Sequence, residues 1–538
     1  MVFDLLIKNG KIVNGTGNPW FKADIGIKNG KIEKIGRLDS ADAEKILDAE
    51  GLIVSPGFID MHNHSDISVF FNPKLESTIR QGITTLVIGN CGSSLAPVNP
   101  ATKDLFMKHI EAFLPSDAEL EVTWNTFEEY LNKLEEIEMA ANIAPLVGHG
   151  TVRIAVMGFD DREPTAEELD EMKKLVAEAM EAGAFGMSTG LIYPPGVYSK
   201  TEELVELCKV VAKYGGIYVS HIRGEGGTLI EAVKEAIYIG EKAGVPVEIS
   251  HHKAAGKSNW GKTKETLKLM EEARKRGVDV TCDQYPYRAG MTSLSAVLPP
   301  WVHVGGVEEM LRRLRDPKER EKIRRDIEQG LPGWENFVAD CGWENIYISS
   351  VVTEKNKHLE GKNVAEIAKI KGKDELDAVC DLLLEEDGRV TIVLFMMDEE
   401  DIVRVMKSPL QMVATDAWAV APYGVLGAGK PHPRFYGTYP RVLGRYVREK
   451  KVLTLEEAVR KMTSFPAQKL GLKDRGLILE GMWADIVIFD PAKIIDKATY
   501  QNPHQYPEGI EYVIVNGKIV VENGEHTGVL PGKTLRHR

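Results

Sequence analysis

Two histidines separated by one residue follow a short apolar segment near the start of the chain. The segment from Gly57 to His64 reads GFIDMHNH. Side chains alternate between the faces of a strand, so His62 and His64 should point the same way. Two imidazoles on one face can bind one cation, and Zn²⁺ readily takes nitrogen ligands. Taken alone, the pair is equally compatible with a structural role.

The elements that would position these histidines form a repeated pattern of strand followed by helix. Helical stretches such as Thr165–Ala182, Thr201–Tyr214 and Leu229–Ala243 separate short apolar runs without polar alternation, which are typical of strands covered on both faces. Eight such strands alternating with helices predict a (β/α)₈, TIM-like barrel. The predicted strands are Phe58–Met61, Thr84–Ile88, Ile143–Val147, Gly186–Ser188, Ile217–Ser220, Val247–Ser250, Val278–Thr281 and Met412–Thr415.

In such a barrel the chemistry lies at the carboxyl ends of the strands. The first predicted strand leads into His62 and His64, and the second leads into Cys91 between two glycines. Residues that bind metals or transfer protons also follow the fifth, sixth and eighth strands: His221, then His251, His252 and Lys253, then Asp416. Chance placement of so many ligands at one rim is improbable, so the sequence predicts a metal site there.

Each of these residues also has a structural interpretation. Cys91 could be a small core residue, and His221 could be a hydrogen-bonded core histidine. His251 and His252 should point to opposite sides, so at most one is a ligand. Asp416 could cap a following helix. His149, after the third strand, is expected beside the site and not in it. No role is assigned to His109, His303, His358, His504, His526 and His537.

The two ends of the chain differ from the middle in their sequence pattern. Short strands and Asn-Gly turns occupy residues 1–56, and similar strands recur near Asp485–Phe489 and in a hairpin around Gly517. We therefore expect 1–56 plus 472–538 to form one small β-sandwich domain and 57–471 to form the catalytic barrel. A highly charged stretch, Glu308–Glu328, lies in a long gap between the seventh and eighth strands. It predicts an inserted subdomain at 295–360, near the mouth of the barrel.

Composition excludes several classes of protein. The net charge of −13 among 538 residues offers no basic face to phosphates, so nucleic-acid binding is not expected. No apolar run approaches the roughly 20 residues of a membrane helix, and the N-terminus lacks the features of a signal peptide. Five scattered cysteines argue for a reducing compartment, and we expect a cytoplasmic protein.

These residues resemble the N-acyl-D-amino-acid deacylases (D-aminoacylases) of the amidohydrolase superfamily, and the resemblance extends over nearly the whole chain. His-x-His marks only the superfamily, whereas GNCG with SHHK and HPR is far more specific. The matching stretches are Pro56–Ser65, Gly89–Pro97, Gly183–Gly196, Ser220–Gly224, Ser250–Gly256, Cys282–Tyr287, His432–Gly437 and Met462–Pro466.

The resemblance implies a division of roles. Cys91, His221 and His251 would hold one tightly bound zinc ion. His62, His64 and Asp416 would face a second, weaker metal position, with Cys91 able to bridge. Asp416 would act as general base and then acid. Tyr193 would help to stabilise the oxyanion. Lys253, Tyr285 and Arg434 would bind substrate, with Arg434 gripping the α-carboxylate.

The implied function is zinc-dependent hydrolysis of N-acyl-D-amino acids, and the D preference comes from the resemblance alone. A dipeptidase acting on D-configured residues needs almost the same site. A cyclic amidase such as a dihydroorotase or hydantoinase usually has a carboxylated lysine after the fourth strand, where Gly186–Thr189 offers none. A non-catalytic assembly protein should have lost ligands, and none is missing. Some relatives carry a serine where this chain has Gly290. Side-chain and acyl preference and oligomeric state stay open.

Overall fold

The computed structural model describes residues 2–39, 42–115 and 118–538. The strands of the first part are β1 Val2–Lys8, β2 Lys11–Ile12, β3 Phe21–Lys22, β4 Asp24–Lys28, β5 Lys31–Gly36, β6 Asp42–Asp48 and β7 Ile53–Pro56. Those of the middle are β8 Phe58–Asp60, β9 Ile83–Ile88, β10 Asn142–Pro145, β11 Val147–Gly148, β12 Gly186–Gly190, β13 Ile217–His221, β14 Val247–Ile249, β15 Val280–Gln284, β16 Ala289–Ser293, β17 Ile346–Ser350, β18 Thr391–Phe395 and β19 Gln411–Val413. The last part contains β20 Ile486–Phe489, β21 Ile510–Val515, β22 Lys518–Glu522 and β23 Glu525–His526.

Eighteen α-helices lie among the described residues. They are α1 Ser68–Phe71, α2 Glu76–Ile79, α3 Lys103–Glu111, α4 Phe127–Glu135, α5 His149–Met157, α6 Ala166–Ala182, α7 Thr201–Lys213, α8 Leu229–Ala243, α9 Thr263–Lys275, α10 Val307–Arg315, α11 Pro317–Gln329, α12 Phe337–Cys341, α13 Val364–Lys371, α14 Glu375–Glu385, α15 Glu399–Lys407, α16 Arg434–Arg441, α17 Leu455–Met462 and α18 Ser464–Leu470. None of the helices in this part of the chain is both long and apolar enough to cross a membrane.

Parallel strands follow one another in chain order through the middle of the molecule. One sheet runs β8-β9-β10 and another runs β11-β12-β13-β14-β15-β19, and Leu146 alone separates β10 from β11. Beyond the carboxyl ends of β19 and β8, the Asp416 amide donates to the His62 carbonyl (2.8 Å). The His64 amide donates to the Ala417 carbonyl (2.9 Å). The last parallel strand therefore adjoins the first at the edge where the predicted ligands lie.

These strands form because β-branched and apolar residues pack well on both faces of a covered sheet. Every residue of β9, ITTLVI, is buried. Side chains of successive strands, including Ile59, Val87, Val219 and Met412, form one buried apolar cluster. All eight predicted strands are present, with bounds shifted by up to three residues.

The two ends of the chain share one sheet. Its order is β23-β22-β21-β20-β7-β2-β3, and β7 pairs antiparallel with β20 from Pro56–Ile486 to Ile53–Phe489. A second sheet, β5-β4-β1-β6, packs with it around a common apolar cluster that includes Leu5, Ile27 and Ile486. The pairing of β7 with β20 therefore brings the two ends of the chain together.

The region between β15 and β19 differs in detail from the sequence prediction. The charged stretch Glu308–Glu328 is two helices, because Pro317 lacks the amide that a continuous helix needs and Asp316 caps α11 by accepting from Lys318 N. Arg320 of this stretch lies 2.9 Å from carboxylates of Asp377 and Asp381 on α14. The buried apolar cluster of this region continues to Met397, so the expected bounds 295–360 cover only part of it.

Residues 532–537, here called the C-terminal strap, cross the amino-terminal side of the parallel strands. Ile143 N donates to Lys533 O (2.9 Å), Leu535 N donates to Ile143 O (2.7 Å), and His537 N donates to Gly183 O (2.8 Å). Arg536 lies 2.8 Å from carboxylates of Glu128 and Glu135 on α4. The strap therefore ties the small sheets to the parallel strands.

We expect deletion of residues 532–538 to lower Tm by about 5 °C, because several backbone hydrogen bonds worth about 1 kcal/mol each are lost. Differential scanning calorimetry measures the shift. Arg536→Ala keeps these backbone hydrogen bonds and removes the side-chain contacts to Glu128, Glu135, Asn132 and the Ala182 carbonyl. It should lower Tm by about 2 °C. Equal shifts for the two variants would show that the backbone pairing contributes nothing.

Candidate metal centre

His62 and His64 follow β8 and turn toward each other. Their Nε2 atoms lie 3.2 Å apart. His62 is completely buried, whereas the His64 side chain keeps 24% of its exposure. Both rings therefore approach one point beyond the carboxyl end of β8.

Cys91 lies on the turn after β9 and faces three histidines. Its Sγ is 3.2 Å from His62 Nε2, 3.7 Å from His221 Nδ1 and 3.6 Å from His251 Nε2. The backbone here approaches its neighbour closely, because a Cβ on Gly92 would lie 2.8 Å from Gly190 N. Glycine at this position therefore lets the cysteine loop press against the end of β12.

Asp416 completes the group from the end of β19. Its Oδ1 is 3.4 Å from His62 Nε2 and 3.1 Å from His64 Nε2, and its Oδ2 is 3.0 Å from an Arg434 nitrogen. Burial favours the neutral acid, but the Arg434 guanidinium, together with the hydrogen bond from His64, outweighs it and holds the pKa of Asp416 well below its ordinary value. The alternative role as a helix cap is not realised, since no helix begins at this residue.

Three of these residues occupy the left-handed backbone region that non-glycine residues rarely adopt. The φ angles are +52° at Cys91, +33° at His251 and +52° at Asp416. Such conformations cost on the order of 1–3 kcal/mol each and persist where the surroundings fix them. The strain is concentrated on the residues whose side chains converge.

The donor atoms suit a bound cation. A tetrahedral zinc ion with sulfur at about 2.3 Å and nitrogen at about 2.0–2.1 Å holds these donors roughly 3.5 Å apart. The Cys91 Sγ distances to His221 and His251 nitrogens match that spacing. Among the described residues, two groups of ligand atoms lie close together. The first comprises His62, Cys91, His251 and Asp416, and the second comprises His221, Glu225 and His251.

The protonation of the donors also favours metal binding. Burial lowers the pKa of His62 well below its ordinary value and that of His221 to about 3, so both rings are neutral and can donate lone pairs. Burial, together with the nearby carboxylates of Asp416 and Glu225, raises the pKa of the Cys91 thiol well above its ordinary value. The thiol must therefore release its proton when a cation binds.

Metal affinity should consequently rise about tenfold for each pH unit between pH 6 and 8, since one thiol proton leaves per ion bound. His62 and His221 are already neutral and add no slope in this range. Competition with a chelator at pH 6, 7 and 8 measures the affinity. An affinity that does not change with pH would show that the thiol is already ionised in the metal-free protein.

Lys253 lines the cavity and also contacts two residues beside the metal centre. Its Nζ lies 2.7 Å from Glu225 Oε1 and 2.8 Å from His251 Nδ1. Burial opposes the charged form, but Glu225 overrides it and raises the pKa of Lys253. Glu225 also lies 2.8 Å from His251 Nδ1, so the pair orients the His251 ring toward Cys91.

Tyr193 and Tyr285 line opposite parts of the site. The Tyr193 ring packs edge-on against His221, with centroids 5.0 Å apart, and its hydroxyl is 3.0 Å from Thr292 Oγ1. Tyr285 lies between two cations, with Lys253 Nζ 5.4 Å and the Arg434 guanidinium 4.6 Å from its ring centroid.

Arg434 is buried. The HPR motif explains the placement, since His432 Nδ1 accepts from Arg434 N (2.9 Å) and His432 Nε2 donates to the Ala289 carbonyl (2.8 Å). One guanidinium nitrogen faces Asp416, another donates to Met291 O (3.4 Å), and Nε has no hydrogen-bond partner among the described residues. Donors therefore remain for a ligand.

Three buried carboxylates near the centre were not predicted from the sequence. Asp283 accepts from His251 N (2.7 Å) and lies 3.9 Å from His62 Nδ1. Glu225 supports Lys253, and Glu335 of the insertion accepts from Glu225 N (3.1 Å). The matching stretch Cys282–Tyr287 contained Asp283, but nothing in the sequence marked Glu225 or Glu335.

The histidines that were not predicted to be ligands lie outside the metal centre or line the cavity. His149 contacts Glu203 (2.7 Å) and His252 contacts Thr266 (2.7 Å), so neither joins the centre. His109 and His303, for which no role was predicted, line the cavity.

That cavity has a volume of about 330 Å³. The catalytic and binding candidates that line it are His64, Cys91, Tyr193, His221, His251, Lys253, Tyr285, Asp416 and Arg434. Such a pocket, mostly apolar with a few convergent polar groups, is typical of a small-molecule site.

Comparison with known proteins agrees with this geometry. A profile described as the amidohydrolase family matches residues 45–521. The chain is 36% identical over 537 residues to the D-aminoacylase of Alcaligenes xylosoxydans xylosoxydans, covering 99% of this chain and 97% of the relative. It is 37% identical over 533 residues to the N-acyl-D-glutamate deacylase of the same organism, covering 99% and 96%.

The chain belongs to the N-acyl-D-amino-acid deacylase family of amidohydrolases. A solved structure of the N-acyl-D-glutamate deacylase from Bordetella bronchiseptica superposes on this amidohydrolase with a TM-score of 0.82 at 34% identity, covering 100% of both chains. That crystal structure is a complex with zinc and a phosphonate inhibitor that mimics the tetrahedral intermediate of the reaction. The family resemblance found in the sequence is therefore confirmed.

Proposed function

We propose that this amidohydrolase hydrolyses the amide bond of N-acyl-D-amino acids and releases a carboxylate and a free D-amino acid. The observation that carries the proposal is the convergence of Cys91, His221 and His251 beside Asp416, in a cavity that also exposes Arg434. Relatives named D-aminoacylase and N-acyl-D-glutamate deacylase support the substrate class and the D configuration.

The metal is proposed to be zinc, with one ion bound tightly by Cys91, His221 and His251. A second, weaker position is proposed at His62, His64 and Asp416, with Cys91 bridging. The donor set of thiolate and imidazoles supports zinc, as does the zinc in the related deacylase structure. When bound, the zinc ion polarises the amide carbonyl and lowers the pKa of a water molecule.

The chain's own residues supply the proton transfers and the binding. Asp416, ionised beside Arg434, takes the proton of the attacking water and later gives it to the departing amine. The Tyr193 hydroxyl, near His221, donates to the developing oxyanion. The free donors of Arg434, with Lys253 and Tyr285, hold the substrate α-carboxylate.

The architecture we infer is a closed (β/α)₈ barrel within 57–471, carrying a small β domain built from 1–56 and 472–538. The hydrogen bonds between the ends of β19 and β8 support closure, and the shared sheet of β7 and β20 supports the small domain. The insertion between β15 and β19 includes 295–360 and extends to about Met397.

A screen of N-acetyl amino acids in both enantiomers, with the zinc-loaded enzyme, tests the function. We expect hydrolysis of D and not L substrates. A D-configured dipeptide and dihydroorotate serve as the competing substrates. The dipeptidase alternative requires almost the same site, and dihydroorotate tests the cyclic-amidase alternative. Preferential cleavage of either competitor would overturn the deacylase proposal.

Arg434→Lys should raise KM for N-acetyl-D-amino acids by roughly 10–100-fold, because an ammonium cannot reproduce the bidentate guanidinium fork. Substrates whose α-carboxylate is replaced by an amide should be poor for the wild-type enzyme, since they leave a buried cation unpaired. Steady-state kinetics with matched acid and amide substrates measure both effects. Equal kcat/KM for acid and amide would show that Arg434 does not read the carboxylate.

A further inference from the structure

One segment of the insertion, residues 334–341, here called the contact segment, lies against the loops that follow β13 and β14. Each of these loops belongs to the metal centre, since His221 ends β13 and His251 follows β14. Phe337 of the contact segment shares a buried apolar cluster with Tyr285, which lines the cavity. The core of the insertion is therefore continuous with the wall of the site.

Two glycines let the contact segment approach both loops closely. A Cβ on Gly226 would lie 2.5 Å from Asp340 Oδ2, and one on Gly256 would lie 2.9 Å from Asp340 Cβ. Asn259 Nδ2 donates to Asp340 Oδ1 (3.4 Å), and Gly256 N donates to Met396 O (2.8 Å) at the other end of the insertion. The insertion is thus packed tightly on the loops that carry His221 and His251.

Glu335 of the contact segment reaches the metal centre through a single residue. Glu335 is buried, and its Oε1 accepts from Glu225 N (3.1 Å). Glu225 Oε1 in turn lies 2.7 Å from Lys253 Nζ and 2.8 Å from His251 Nδ1. Glu225 therefore joins the insertion to a proposed metal ligand and to a proposed substrate-binding residue.

The backbone of Glu225 is held on both sides. Its N–H donates to Glu335, and its carbonyl accepts from Ala255 N (2.8 Å) on the loop after β14. A loop residue fixed in this way holds its carboxylate in one place. Because a lysine ammonium ends a flexible stem and an imidazole ring is oriented by the partner of its second nitrogen, a shift of Glu225 would displace both Lys253 and His251.

We propose that Glu335 is a positioning residue of the insertion that acts on the metal centre through Glu225. By fixing Glu225, it orients Lys253 toward the substrate α-carboxylate and His251 toward the tightly bound zinc. This inference deepens the proposed function, and its kinetic consequences rest on that function. The insertion then supports the reacting groups in addition to forming a wall of the cavity.

Glu335→Ala should lower the zinc affinity by roughly 10–100-fold, the loss typical of an outer-shell partner. With zinc saturating, the metal itself holds His251, so kcat should stay within about threefold while KM for N-acetyl-D-amino acids rises about tenfold through Lys253. Chelator competition with zinc alone and steady-state kinetics measure these quantities. Unchanged zinc affinity and KM would overturn the proposal.

Two further substitutions at this position separate the lost hydrogen bond from lost packing. Burial and the carboxylates of Glu225 and Asp340 raise the pKa of Glu335 well above its ordinary value, which favours the neutral acid and makes glutamine a close match. Glu335→Gln keeps the acceptor and should restore zinc affinity and KM to within about twofold. Glu335→Leu fills the space without an acceptor, so it should reproduce the losses even where alanine unfolds the insertion.

Asp326→Ala is the matched control within the insertion. Asp326 is also buried and accepts from Trp301 Nε1 (2.8 Å), and neither residue lines the cavity. This variant should lower Tm and leave zinc affinity and KM within about twofold, because its lost hydrogen bond lies away from the centre. Equal losses of zinc affinity in Glu335→Ala and Asp326→Ala would reduce Glu335 to a structural role.

A double-mutant cycle with Glu225→Gln tests the route. Because Glu335 acts through Glu225, adding Glu335→Ala to Glu225→Gln should lower zinc affinity by less than about threefold more, whereas full additivity would overturn the proposal. Zinc affinity is measured without substrate. The expected losses therefore support the positioning role even if no N-acyl-D-amino acid is hydrolysed and the proposed function fails. Hydrolysis by the wild-type enzyme, with unchanged zinc affinity and KM in Glu335→Ala, would overturn the positioning role alone.

Discussion

Replacing Asp416 with asparagine is expected to lower kcat by about 10²–10⁴-fold, because the amide cannot accept and return the proton. The tightly bound zinc should stay, since Cys91, His221 and His251 are untouched. Steady-state kinetics of the zinc-loaded variant, together with elemental analysis, measure both quantities. The side-chain amide of asparagine does not ionise in the neutral range, so this loss should not be recovered by raising the pH.

Asp387→Asn is the matched control for this experiment. Asp387 lines the same cavity but is exposed and paired with Lys108. Its substitution should leave kcat within about twofold, because a surface ion pair contributes little. Near-normal kcat in Asp416→Asn would place the aspartate outside the proton transfers.

Replacing Cys91 with alanine should lower the affinity for the tightly bound metal by more than about 100-fold, beyond the loss typical of an outer-shell partner. The sulfur is the donor that His221 and His251 both face, at 3.7 and 3.6 Å. Dialysis against a chelator followed by elemental analysis measures retention. The variant should also lose the pH dependence of metal binding, since the proton released on binding comes from this thiol.

Cys208→Ala controls for loss of a buried thiol. Cys208 is fully buried on α7 and has no part in the centre, so this variant should keep its metal. Full zinc in Cys91→Ala would contradict the ligand assignment. Loss of zinc in both variants would indicate general destabilisation instead.

The positions of the parallel strands could be predicted from the sequence because their signal is local. Buried runs such as ITTLVI in β9 show no polar alternation, and the residue after each run fixes what lies at the rim. His62, Cys91 and Asp416 could be proposed together because strands of one parallel sheet end at the same edge. Two-residue alternation likewise separated His251 from His252.

The buried carboxylates could not be predicted, because their environment depends on distant parts of the chain. Glu225 lies on a loop, where no periodicity indicates burial. Its backbone N–H donates to the carboxylate of Glu335, 110 residues away. The pairing of Arg434 with Asp416 likewise depends on where the loop after β19 folds back.

The pairing of the two ends of the chain has a consequence for how the enzyme is made. Contacts such as Ile35 N with Glu480 and Lys45 with Glu522 join residues 445 and 477 positions apart. On the ribosome, the edge of β7 that pairs with β20 must stay unpaired until almost every other residue has emerged. Because contacts of such long range form slowly, the nascent chain exposes an open sheet edge for most of its synthesis. During expression, this small sheet should therefore need chaperones more than the parallel strands do.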